Sequence, residues 1–104
     1  MNNFNALNMK QYLVIAWDAT DSHAQERRLA VRNEHLAGSR QLKANGNFIM
    51  GGAMLNEHEN MIGSTMVLQF ANDKDFNLWK QNEVYLLKNV WIKIEVHSFK
   101  VANI

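Results

Sequence analysis

Tyr12-Leu13-Val14-Ile15-Ala16-Trp17 is an apolar run rich in β-branched and aromatic residues, and it predicts a strand. Alternation places Leu13, Ile15 and Trp17 on one face and Tyr12, Val14 and Ala16 on the other. A strand that is apolar on both faces needs cover on both sides of its sheet. Asp18-Ala19-Thr20-Asp21-Ser22 follows with helix-start chemistry. Ser22 and Gln25 have capping-box spacing, and Thr20 or Asp21 are alternative caps.

Working outward, a helix is expected from about Ser22 to Ala44, closed at Asn45-Gly46, where glycine can adopt the left-handed conformation. Asn47 to Leu55 reads as a second strand with Phe48, Met50 and Met54 inward. Gly51-Gly52 within it points to a bulge or a close backbone approach. After the polar loop 56–60, Gly63 to Phe70 is a third strand, with Met66, Leu68 and Phe70 on one face and Thr65, Val67 and Gln69 on the other. Asn72 or Asp73 caps a second helix through Phe76, Leu78 and Trp79, ending near Gln81 or Asn82. Glu83 to Asn89 connects, with room for a further helical turn. Val90 to Phe99 alternates as a fourth strand, with Val90, Ile92, Ile94 and Val96 one way and Trp91, Lys93, Glu95 and His97 the other. The order βαββαβ is that of an α+β, ferredoxin-like chain with two helices on one face of a four-stranded antiparallel sheet. The simplest cover for the other face is the same face of a second copy, so a homodimer is expected.

At 104 residues, with 47% hydrophobic and 20% charged, the chain is expected to be a single domain over 1–104 with one core. A net charge of +1 supplies no basic field for nucleic acid. No apolar run approaches the ~20 residues of a membrane helix, so neither nucleic acid nor membrane is an expected partner. The first residues lack the charged and apolar regions of a signal peptide. A cytoplasmic location is therefore expected, with residues 1–10 a loose arm or a tail docking through Phe4 and Leu7. The absence of cysteine excludes disulfides and thiolate chemistry. No phosphate loop, nucleotide fingerprint or nucleophile elbow is present, and no cofactor is expected.

The first helix carries the candidate site. Arg28, Arg32, His35 and Ser39 stand at i, i+4, i+7 and i+11 and share one stripe. Leu29 and Leu36 border it on one side, and Ala24, Val31 and Leu42 on the other. A polar stripe between apolar edges is partly desolvated when the helix packs, and desolvated polar groups need partners. On spacing alone, His35 is either a functional group or a satisfied helix residue, with the arginines solvated or paired to Glu34 or Glu83.

Arg28-Leu29-Ala30-Val31-Arg32-Asn33-Glu34-His35-Leu36-Ala37 resembles the helix pattern of the YciI-like (YCII-related) family. Gly52-Ala53-Met54 resembles the family's Gly-Pro-Met turn in the second strand. Gly63-Ser64-Thr65 resembles the Gly-Ser that opens the third, and Val96-His97-Ser98-Phe99-Lys100-Val101 resembles the tail. The resemblance runs from about Tyr12 to Val101. It implies a dimeric α+β barrel, two ferredoxin-like sheets face to face, and a site pairing the helix His with an Asp in an Asp-Pro-Tyr/Phe segment. Here that segment is Glu83-Val84-Tyr85. Glutamate keeps the carboxylate on a longer arm, and valine restores a backbone donor. Some relatives are dehydrochlorinase-type lyases, and the broader fold includes muconolactone isomerases.

On the resemblance, His35 and Glu83 are the catalytic candidates, with the carboxylate fixing the imidazole for proton abstraction beside a carbonyl. Arg32 and Arg28 would hold a small anionic substrate, with Ser64 and Tyr85 lining it. The expected activity is that of a small-molecule lyase or isomerase. The alternatives are a non-catalytic small-ligand-binding or regulatory dimer and a purely structural dimer. Elsewhere, Glu57-His58-Glu59 reads as a surface loop rather than a metal site, and no metal is expected. His23 and His97 read as structural. Met50, Met54, Met61 and Met66 read as core filling.

Overall fold

Strand β1 (Lys10–Asp18) is an inner strand of an antiparallel sheet, paired on one side with β3 (Met61–Phe70) and on the other with β4 (Trp91–Phe99). Strand β2 (Phe48–Leu55) pairs with the free edge of β3, giving the order β2-β3-β1-β4. The computed structural model describes residues 8–104. The expected arm falls largely on positions 1–7, outside the described residues. Its inner end does not hold as a loose segment, because Lys10 already pairs with Phe70 in the sheet.

Helix α1 (Ala24–Ala44), helix α2 (Asp73–Asn82) and the one-turn helix α3 (Val84–Leu87) complete the chain. This is the ferredoxin-like α+β arrangement. Tyr12, Val14 and Ala16 of β1 and Met66, Leu68 and Phe70 of β3 are buried together with Phe76, Val84 and Tyr85 from the helical side. Val14 and Leu68 are fully enclosed, each worth ~1.5–3 kcal/mol over exposure. Tyr12 ties α2 to β1: its hydroxyl donates to Asp73 Oδ1 at 2.7 Å, beside the Lys10 ammonium at 2.8 Å.

The start of α1 differs from expectation. The residue before the helix is His23, whose side chain makes no capping bond, and Ser22 does not form a capping box. Asp21 organises the turn instead, accepting from the His23 amide and the Arg27 guanidinium. Gln25 reaches away to the Met61 carbonyl at 2.6 Å. At the other end Gly46 takes φ +81°, the left-handed closure expected there. Asn72 caps α2 by accepting from the Asp75 amide.

Of three register slips in the sheet, at Phe48/Met50, Met54/Leu55 and Trp17/Asp18, the first and last shift faces that matter for the site. Between Phe48 and Met50 the β2 register slips. Met50 is therefore turned outward and is 63% exposed, against the expectation that it points in. Gly51 lies past this slip and is a close approach: a Cβ there would come 2.8 Å from Phe48 Cζ and 3.2 Å from the Thr65 carbonyl oxygen. In β4 the register slips at Trp17/Asp18, so Trp91 pairs with Asp18 while Lys93 pairs with Trp17. The expected alternation of β4 is broken here. Trp91 turns to the helical side and is buried, and Ile92 is left exposed.

The opposite face of the sheet carries Leu13, Ile15 and Trp17, all half-buried, with Val67 beside them. No helix among the described residues covers it. None of the described helices is long and apolar enough to cross a membrane.

Candidate functional site

Helix α1 lies with one stripe facing the β2–β3 end of the sheet. Arg28, Arg32, His35 and Ser39 all line one cavity of about 110 Å³, walled also by Phe48, Met66 and Tyr85. The i, i+4, i+7, i+11 spacing thus converges on a single cleft. Of the flanking apolar residues, Leu36 lines the cleft and Val31 and Leu42 pack on the core. Leu29 does not pack: it is 58% exposed.

His35 and Glu83 are brought together across the fold. Nδ1 of His35 lies 2.8 Å from Oε2 of Glu83, and both side chains are more than nine-tenths buried. Glu83 sits at the N-terminal cap of α3, where the same oxygen accepts from the Tyr85 amide at 2.9 Å. A carboxylate facing Nδ1 calls for the tautomer that donates from Nδ1. Nε2 is then left as an acceptor, and it has no hydrogen-bond partner among the described residues. Tyr85 stacks on the imidazole at 3.9 Å with the rings 6° apart, and Trp91 meets it edge-on at 5.6 Å. The ring is therefore held on its hydrogen bond and on two aromatic contacts. His35 and Glu83 also border a larger, more open cleft of about 340 Å³ between α1 and α2, with Gln41, Trp79 and Asn82.

Arg28 is largely committed to the protein itself. Its Nη1 reaches both oxygens of Asp18, at 2.8 and 2.9 Å, and its Nη2 donates to Ser64 Oγ at 2.9 Å. Ser64 Oγ also accepts from Trp91 Nε1 at 3.2 Å. The ion pair is buried, with each side chain 4% exposed. Burial pushes the Asp18 carboxyl above its ordinary range, while the Arg28 guanidinium pulls it down. The Arg28 guanidinium carbon also lies 5.0 Å from the centroid of the Tyr85 ring. This network frames the cleft wall.

Arg32 differs. It is half-buried at the cleft and makes no hydrogen bond or ion pair with any described residue. The expected partners of the arginines, Glu34 and Glu83, are not used: Glu83 goes to His35 and Tyr85, and Arg28 to Asp18. The remaining histidines lie apart from the cleft. His23 and His58 are exposed beside Glu26 and Glu57. His97 is beside Glu95 on the uncovered face of the sheet, 3.3 Å away, and holds that carboxyl below its ordinary value.

Two residues of the network around the cleft, Asp18 and Trp91, are not site candidates in the sequence. Asp18 reads as part of a helix start, yet it closes the Tyr12-Val14-Ala16 face of β1 and lands on the helical side. That alternation was a usable signal: a carboxylate ending an apolar face requires a buried cation. Trp91 lies on the face opposite to the one its alternation predicts, because a bulge leaves no mark in the pattern.

The model of the YCII-related domain matches residues 10–100, and the chain belongs to that family. A protein of Haemophilus influenzae is 32% identical over 95 residues, covering 86% of this chain and 95% of its own. Protein YciI of Escherichia coli is 30% identical with the same coverage. Among solved structures, the 5-chloro-2-hydroxyhydroquinone dehydrochlorinase of Burkholderia phenoliruptrix, in complex with 2,5-dihydroxybenzoquinone, superimposes with a TM-score of 0.75. That likeness covers 88% of this chain and 95% of the other at 18% identity, and it is a likeness of fold.

Proposed function

We propose that this member of the YCII-related family moves a proton at carbon, as a lyase or isomerase acting on a small anionic substrate, with His35 as the base. The observation that carries the reading is the 2.8 Å contact between His35 Nδ1 and Glu83 Oε2 at the edge of a cleft. Nε2 takes the proton from a carbon beside a carbonyl, and the electron pair moves onto the carbonyl oxygen as an enolate. Glu83 stabilises the imidazolium so formed and acts only through His35, which makes it a positioning residue. The unpaired Arg32 guanidinium offsets the enolate charge. Collapse of the enolate either returns the proton at a second carbon, an isomerisation, or expels a leaving group such as chloride, an elimination. The dehydrochlorinase of similar fold performs a reaction of the second type, according to its name.

A cavity of about 110 Å³ is below the ~300–1,000 Å³ common for drug-sized ligands, which favours a small substrate. We also propose that two copies associate through the uncovered face of the sheet, where Leu13, Ile15 and Trp17 are only half-buried.

The test is turnover in D₂O of small enolisable keto acids and chlorinated hydroquinones, followed by deuterium incorporation and chloride release. Wild type is expected to process at least one class, and His35→Asn to lose ~10²–10⁴-fold of that rate. If wild type and His35→Asn are indistinguishable on every compound, the cleft binds without catalysing.

A further inference from the structure

The side chains around the cleft are rich in hydrogen-bond donors and poor in acceptors. Ser64 Oγ accepts from two groups that can only donate, Arg28 Nη2 and Trp91 Nε1. Both of its lone pairs are used, and one O–H remains to be given. The Tyr85 hydroxyl is buried and has no hydrogen-bond partner among the described residues. Arg32 offers guanidinium donors and no acceptor. No carboxylate among the described residues lines the cleft. Ser39 can donate or accept, and His35 Nε2 is the one ring acceptor once Nδ1 faces Glu83.

We infer that the cleft takes a small oxyanion with several acceptor oxygens, and that the Tyr85 hydroxyl, with Arg32, selects it. The ligand is a carboxylate, enolate or ionised phenol that presents one acidic hydrogen, to His35. A buried hydroxyl without a partner costs free energy, which a ligand oxygen in the cleft would offset. Burial raises the Tyr85 phenol above its ordinary value, against the pull of Arg28 and Arg32. The group therefore stays protonated at neutral pH, as a donor must. The role of His35 in this inference rests on the proton-transfer reading; the binding of the oxyanion does not.

Tyr85→Phe removes the oxygen and keeps the ring that stacks on His35. Ser64→Ala would break two buried hydrogen bonds and is unsuitable. The probes are acetoacetate, benzoate and 2,5-dihydroxybenzoquinone, each against its neutral methyl ester or ether, with dissociation constants measured for wild type, Tyr85→Phe, Arg32→Gln and His35→Gln. Wild type is expected to prefer at least one anion over its neutral counterpart. Tyr85→Phe and Arg32→Gln should each weaken that anion by about tenfold or more. Without ligand, Tyr85→Phe should melt at the same temperature as wild type or higher. Overturning results are neutral compounds that bind as well as the anions, no binding of any probe, unchanged anion affinity in Tyr85→Phe, or a lower melting temperature for that variant. His35→Gln separates the two claims. Anion selectivity that survives while turnover is lost supports both. Selectivity with undiminished turnover refutes only the proton-transfer reading, and lost turnover without selectivity refutes only the oxyanion.

Discussion

Glu83 Oε2 and His35 Nδ1 meet at 2.8 Å across 48 positions of sequence. The extra methylene of glutamate does not leave the carboxylate loose, because the same oxygen caps α3 through the Tyr85 amide. Two donors on one oxygen fix its place, and the imidazole is fixed in turn.

A tautomer follows from this arrangement. With the imidazole neutral, ¹⁵N shifts of wild-type His35 should show the proton on Nδ1. Glu83→Gln replaces an acceptor-only group by one that can present an NH₂, which frees the ring to protonate at Nε2. The variant should show a mixed or reversed assignment. An unchanged Nδ1–H tautomer would mean that the carboxylate does not orient the ring.

The Asp18–Arg28 pair is a separate structural claim. Both side chains are 4% exposed, so removing one leaves a buried charge without its partner. Asp18→Asn or Arg28→Met alone should cost ~3–5 kcal/mol in urea unfolding. The double variant should lose much less than the sum, with a coupling of ~2–3 kcal/mol. Additive losses would show that the two side chains do not act as a pair.

How far the chain could be read shows in these two pairs. The α1 stripe was legible because helical spacing alone aligns Arg28, Arg32, His35 and Ser39, and all four line one cleft. Glu83 has no such local signal. It is far from His35 in sequence, and the family resemblance, not the spacing, pointed to it. The signal at Asp18 is masked, because aspartate before a helix has a common local explanation, capping, a role that Asp21 fills in this turn. The faces of Met50 and Trp91 depend on two bulges, and a one-residue slip reverses every side chain beyond it. Along α2, Phe76 and Trp79 pack on the core while Leu78 is exposed.

Association through the uncovered face gives a further check. In sedimentation equilibrium the wild type should have twice the 12.0 kDa chain mass. Ile15 pairs with Glu95 in the β1–β4 register, so Ile15→Lys puts a lysine opposite a glutamate, a favourable cross-strand pair in a lone chain. It also buries a charge if two sheets meet. The variant should be a folded monomer. A wild-type monomer, or an Ile15→Lys dimer of unchanged affinity, would place the interface elsewhere or remove it.

The most direct measurement of the His35–Glu83 unit is a double-mutant cycle in kcat/KM on whichever compound the wild type turns over, using His35→Gln, Glu83→Gln and the two together. Residues that act as a unit lose their effect together. His35→Gln and the double variant should therefore have the same residual activity, with Glu83→Gln between them and wild type. If the two losses multiply instead, Glu83 contributes independently of His35 and the proposed division of roles is wrong.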